Sequence, residues 1–322
     1  MTREQRILDL VPKKLISLKG KSLLRSIAAA EGRTVVAEAV VTVPPLIDGC
    51  SNLELAASFG ADLLLLNQYD VDQPQIAGFP SCLKKIDASI FPKELWANLG
   101  WGVEAKEIKE LVGRPLGINL EPVSTEIPLT KVSTGRRATV ENAFRAQEQG
   151  IDFIVITGNP NTMVSLEAII ESVQQIKKAL GDNLIVMAGK MHGAGAFRRN
   201  KPWITEEEIK MLADAGADVL LLPLPGTVPG IDLDHVCRWI ENAHYQGLLV
   251  MLTLGTSQEG STHSVIERLA LDGKKAGGDL FHIGDAGFSG IALPELLITY
   301  SIALRGKRHT YRRMSQSLLR EG

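Results

Sequence analysis

The chain has 322 residues, 45% of them hydrophobic and 22% charged, with a formal net charge of −2. This suits a soluble globular protein of one large α/β domain or two smaller ones, and it provides no global basic field to recruit nucleic acid. The three cysteines show no CxxC spacing and no window approaches ~18 uninterrupted apolar residues, so we expect neither a disulfide framework nor a membrane span, and a cytoplasmic location.

The N-terminal stretch "MTREQRILDLVPKKLISLKGKS" mixes charges into its apolar positions and lacks the apolar core of a signal peptide. We expect residues 1–32 to form helices that cover the N-terminal mouth of the domain. "TVVAEAVVTV" (34–43) is the first apolar run of strand length. "SNLELAASFGADLLLLN" (51–67) then introduces a pattern that recurs at 139–159, 205–224 and 263–285. Each copy opens with a helix-start residue (Ser51, Thr139, Thr205, and Ser261 or Thr262) and continues with a helical apolar period. It turns at a glycine, then places an Asp (Asp62, Asp152, Asp218, Asp279) before an apolar strand-like run. Further apolar runs, "PLGINLEPV" (115–123), "NLIVMAGKM" (183–191) and "LLVMLTLG" (248–255), lie between the copies.

Strand-like and helix-like runs thus alternate eight times, with the nearly continuous apolar character of buried parallel strands. The count and size predict an α/β fold, a (β/α)8 TIM barrel over 33–305 with an N-terminal helical extension. A doubly wound open sheet would place a glycine-rich fingerprint after its first strand, where this chain has "TVPPLIDGC". No Ser/Gly-rich linker interrupts the chain, so we expect a single domain over 1–322 that ends in a basic tail, 306–322.

Active sites of this fold gather at the strand C-termini. The loops after strands seven and eight are "GTSQEGST" (255–262) and "GDAGFSG" (284–290). They read as a phosphate cup built around Gly255, Thr256, Gly284, Gly287, Ser289 and Gly290, although the same glycines suit tight turns. Asp285 would repel a phosphate there and fits better against a hydroxyl, a metal ion, a proton in transit or loop N–H groups. Asn67, Asn119, Thr157 and Asn159 are polar groups at strand ends, suited to substrate binding; His282 is another strand-end group.

Residues two apart on a strand share a face, which points Glu38, Lys190 and His192 inward. Glu38 and Lys190 then form a buried ion pair, or Lys190 serves as electrophile or nucleophile with His192 as acid/base. Glu38, Lys190, His192 and Asp285 are the expected acid/base set. A carboxylate-rich site could also hold Mg²⁺, with Asp70 and Glu121 as ligands. There is no HExxH, zinc, P-loop or GxSxG pattern and no nucleotide-cofactor signature. "STGRRAT" (133–139) and "KMHGAGAFRRNKPW" (190–203) are basic loops that suit a lid. The tail "RGKRHTYRRMSQSLLR" suits a solvated helix end or a subunit contact in a homo-oligomer better than a nucleic-acid patch.

Three resemblances follow from particular segments. "LEPVSTEI", "TVENAFRAQEQGIDFIVITGNPNT" and "ELAASFGADLLLLNQYDVDQP" resemble the BtpA family of phosphate-binding barrels. That likeness implies a site at Asn67, Thr157, Gly158 and Thr162. "GDAGFSGIALPE" with "RGKRHTYRRM" resembles an uncharacterised bacterial family sometimes labelled haloacid dehalogenase-like. Such hydrolases need DxD at the end of their first strand, whereas Asp70 and Asp72 follow the second strand-like run here. More distantly, the chain is similar to phosphoenolpyruvate mutase and isocitrate lyase barrels. Asp70, Asp72 and Glu121 could take their metal-binding part, but the KKCGH-like lid is absent.

The expected function is binding of a small phosphorylated, sugar-phosphate-like metabolite with a lyase or isomerase step by acid/base catalysis. The alternative is a non-catalytic phosphometabolite sensor or assembly factor, and a weaker one is a phosphatase acting through Asp70.

Overall fold

A computed structural model of the chain describes residues 5–82, 98–158, 162, 164–191, 203–285 and 288–321. Eight parallel strands close into a barrel in sequence order. They are β1 (Thr34–Val40), β2 (Leu63–Asn67), β3 (Leu116–Leu120), β4 (Phe153–Ile156), β5 (Ile185–Gly189), β6 (Val219–Pro223), β7 (Leu249–Leu254) and β8 (Leu280–Ile283). β1 pairs with β8, as Val36 against His282, and this closes the ring. The predicted (β/α)8 architecture is the observed one.

The repeated Asp has a physical task. The backbone N–H of Asp62 donates to the Val35 carbonyl at 2.8 Å, and its carboxylate accepts the Val35 N–H at 2.9 Å. Asp152 clasps Leu116, Asp218 clasps Val186 and Asp279 clasps Val250 in the same two-bond way. Each even-numbered strand is therefore docked in register on the odd strand before it. Each carboxylate also meets a base: Arg305 and Arg313 at Asp62, Lys19 and Lys109 at Asp152, Lys177 at Asp218, and His244 at Asp279.

The helix starts behave as Ser and Thr caps should in three of the four copies. Ser51, Thr139 and Thr205 accept from the backbone N–H groups of Glu54, Asn142 and Glu208. Thr262 occupies the fourth N-cap position without such a bond, and its hydroxyl lies 3.1 Å from that of Ser264.

Side chains of the barrel divide by strand phase. Val36, Leu63, Leu65, Phe153, Val155, Ile185, Met187, Val219, Leu221, Met251 and Leu280 form an inner core. Ile7, Leu15, Leu23 and Ile27 from the N-terminal helical turns join it. Gly117 makes room for this core, since a β-carbon there would sit 2.1 Å from the Phe153 ring. The alternate residues pack outward against the helices in a second, larger core.

The basic tail corrects one expectation. Arg305 and Arg313 are not solvated: Arg305 is 6% and Arg313 2% exposed, and both are bound to Asp62. The final helix, Pro294–Ser315, breaks its course at Gly306 (φ 75°), which turns Arg313 back under the barrel. There its guanidinium donates to the Ile7 and Leu10 carbonyls, locking the two chain ends together. Among the described residues no helix is long and apolar enough to cross a membrane.

Candidate active site

The inward phase is apolar at the bottom of the barrel and turns polar at the top. Val36 is followed two residues later by Glu38, Leu65 by Asn67, Gly117 by Asn119, Val155 by Thr157, Met251 by Thr253 and Leu280 by His282. The polar ring sits where the fold places its chemistry.

Glu38 is the hub of this ring. One carboxylate oxygen accepts the Asn119 amide N–H at 2.6 Å, and the other lies 2.8 Å from His282 Nε2. Glu38 is 4% and His282 2% exposed. A carboxylate offers only acceptors, so the pairing places a His282 proton on Nε2 and leaves Nδ1 outside it. Nδ1 is buried with no hydrogen-bond partner. Asn67, at the end of β2, donates through its amide to the Asp285 carboxylate just past β8. Burial and the neighbouring Glu38 charge push the Asp285 carboxyl up to about 7, against the opposing pull of Asn67 and His282.

Sequence reasoning missed Glu259. It lies in the 3-10 turn Gln258–Gly260 after β7, is fully buried, and neither carboxylate oxygen has a hydrogen-bond partner. Burial raises its pKa; the backbone N–H dipoles of Glu259 and Ser257 and the His282 imidazole oppose this, and Glu38 adds to it. Its only sequence signal was an acid inside a glycine- and serine-rich loop, which reads as a solvated turn.

The structure does not bring Lys190 to Glu38, which corrects the expected ion pair. The inward phase of β5 is Ile185, Met187 and Gly189, so Lys190 falls one residue out of it. It lines a small crevice with Leu166, Trp203, Ile204, Glu208 and Leu221, while the Glu38 oxygens are taken by Asn119 and His282. His192, Asn159, Gly287 and the basic residues Arg198, Arg199 and Lys201 lie outside the described residues.

The expected phosphate loops carry other duties in part. The Gly284 N–H donates to the Leu254 carbonyl at 2.8 Å, which removes it from the cup. Gly290 (φ 70°) is required by close approach, for a β-carbon there would lie 2.8 Å from Val40. Gly255 has open space around it, and Thr256, Ser257 and Ser289 adopt left-handed backbone conformations. The Thr256 hydroxyl donates to the Thr227 carbonyl, and the Ser289 carbonyl accepts from Asn52. Thr157 is buried at the end of β4, in the inward phase.

Asp70 and Glu121 are committed elsewhere. The Asp70 carboxylate accepts the N–H groups of Asp72 and Gln73 in its own loop, and Glu121 pairs with Arg136 at 2.9 Å. Asp72 pairs with Arg145. Among the described residues no group of three or more His, Cys, Asp or Glu side chains has metal-binding geometry.

Residues 8–320 match the model of DUF7916, a domain of unknown function. The chain belongs to the DUF7916 family. No curated protein matches it. Among solved structures it is similar to an archaeal fructose-1,6-bisphosphate aldolase whose catalytic Lys is bound to a carbinolamine intermediate. The two are 15% identical, with 88% of this chain and 96% of that one covered and a TM-score of 0.51. A second archaeal fructose 1,6-bisphosphate aldolase gives 15% identity, 85% and 94% coverage and a TM-score of 0.50. A 2,3-dimethylmalate lyase of the PEP mutase/isocitrate lyase superfamily gives 14% identity, 85% and 81% coverage and a TM-score of 0.46. At 15% identity the likeness to the two aldolases is one of fold alone.

Proposed function

We propose that this DUF7916 protein is an acid/base enzyme that carries out a lyase or isomerase step on a small phosphorylated metabolite. The observation that carries this reading is the ring at the top of the barrel, where among the described residues His282 Nδ1 has no hydrogen-bond partner and the Asp285 carboxyl accepts only from Asn67. Glu38 holds the imidazole tautomer and orientation, as a carboxylate behind a catalytic histidine does. Asp285, poised near neutrality, gives or takes a proton at little cost at physiological pH. Asn67 and Asn119 are fixed by these carboxylates and present their carbonyl oxygens to a bound ligand. The open turn at Gly255 and Thr256 is the place for a phosphate. The phosphorylated substrates named for two of the similar barrels support that class of ligand by analogy only.

The test is proton abstraction. The chain is incubated with a panel of sugar phosphates in D₂O, and carbon-bound deuterium and new products are followed by NMR. We expect incorporation or conversion with at least one member, reduced roughly 100-fold or more by His282→Ala and by Asp285→Asn. Tight binding without exchange or conversion would instead make the barrel a phosphometabolite sensor.

A further inference from the structure

The acid/base reading leaves open what the polar ring binds, and its buried unpaired atoms speak to it. The amide N–H groups of Asn67 and Asn119 point to the carboxylates of Asp285 and Glu38, which accept when ionised. Their carbonyl oxygens are therefore what is left over, and both are buried without a partner. Glu259 adds two more buried oxygens with no partner. The leftover set is dominated by acceptors, so the ligand must supply donors.

Charge narrows the choice. Glu259 lies buried in the loop after β7 and Asp285 just past β8, and each feels the Glu38 charge and the single imidazole of His282. Among the described residues no Lys or Arg forms an ion pair with any of the three carboxyls, and His282 is the partner of Glu38 alone. A buried carboxylate without a counter-charge is costly, so this ring suits a cation better than an anion.

Building on the acid/base reading, we infer that the part of the ligand meeting this ring carries a protonated amine. Any phosphate on the same ligand stays outside the acidic ring, toward the Gly255 turn. An ammonium supplies three donors and one positive charge to a set that offers four unpaired acceptor oxygens. Its entry favours the ionised carboxyls, so a proton held by Asp285 or Glu259 is released to solvent as the ion pair forms.

The experiment is titration calorimetry on the full chain near pH 7, each ligand in two buffers of different ionisation enthalpy. The probes are matched pairs: D-glucosamine 6-phosphate against D-glucose 6-phosphate, and ethanolamine phosphate against 2-hydroxyethyl phosphate, with glucosamine and ethanolamine as unphosphorylated members. The expected result is at least a 10-fold preference for the aminated partner of a pair, with net proton release on binding. Glu259→Gln, which keeps the shape of the side chain, should bring the preference down toward unity while leaving the fold intact. Equal or tighter binding of the hydroxylated partner, proton uptake, or no heat with any aminated member overturns the inference. Binding of the hydroxylated phosphates alone does so while leaving the acid/base reading in place. Binding of the unphosphorylated amines as tightly as their phosphates supports the amine and removes the phosphate from the proposed function.

Discussion

Replacing Asp285 by Asn isolates the titration on which the acid/base role depends. The carboxyl rises from 3.8 in the unfolded chain to about 7 in the folded one. Between about pH 4 and 7 the folded state therefore holds a proton that the unfolded state has released. Stability of the natural protein falls as pH rises through that window, by at most about 1.4 kcal/mol per pH unit, and levels off above it. The ceiling is about 4 kcal/mol. Asp285 is only partly buried and keeps its bond from Asn67, so about 2 kcal/mol is the reasonable expectation. Asn is of the same size, still accepts from Asn67 and cannot titrate. With an unfolding entropy of about 2 cal/mol/K per residue, the difference amounts to roughly 3 °C in melting temperature for a chain of 322 residues. Melting curves of both proteins at half-unit steps from pH 4.5 to 8.5 provide the measurement. Asp285→Asn should gain on the natural protein as pH rises and reach a constant advantage above pH ~7. A difference that stays flat over this range would show that Asp285 ionises as an ordinary carboxylate, and the proton-transfer role would fall with it.

Glu38→Ala strips His282 and Asn119 of their shared acceptor and should cost roughly 2–3 kcal/mol in urea unfolding, with Glu38→Gln costing less because one acceptor remains. Arg313→Ala breaks a buried pair with Asp62 and unties the chain ends, for about 3 kcal/mol; a loss under 1 kcal/mol would mean the C-terminal helix docks without it. Thr205→Ala should cost about 1 kcal/mol through its lost N-cap bond, whereas Thr262→Ala, where no cap bond exists, should stay within ~0.3 kcal/mol in the same denaturation series.

The barrel was legible in the sequence because its signals are local and repeated. An N-cap Ser or Thr, a helical apolar period, a glycine turn and an Asp are each set by a few neighbouring residues, and four copies reinforce one another. Strand phase also pointed Glu38 inward, where it meets Asn119 and His282. It misled at Lys190, where the inward phase runs through Gly189 and leaves the lysine one residue out of step.

What only the tertiary structure decided is which charges meet. Glu38 and His282 stand 244 residues apart in the chain yet pair at 2.8 Å because β1 and β8 are the two ends that close the ring. Asp62 finds Arg305 and Arg313 across a similar span, which turns an apparently solvated tail into the lock under the barrel. Glu259 reads as a loop acid, yet the fold buries it completely in the turn after β7. Local chemistry fixes where each element begins and ends, because hydrogen bonds and apolar periodicity act over a turn or two. Partnership between distant charges is settled by closure of the barrel, and no short-range pattern in the chain encodes it.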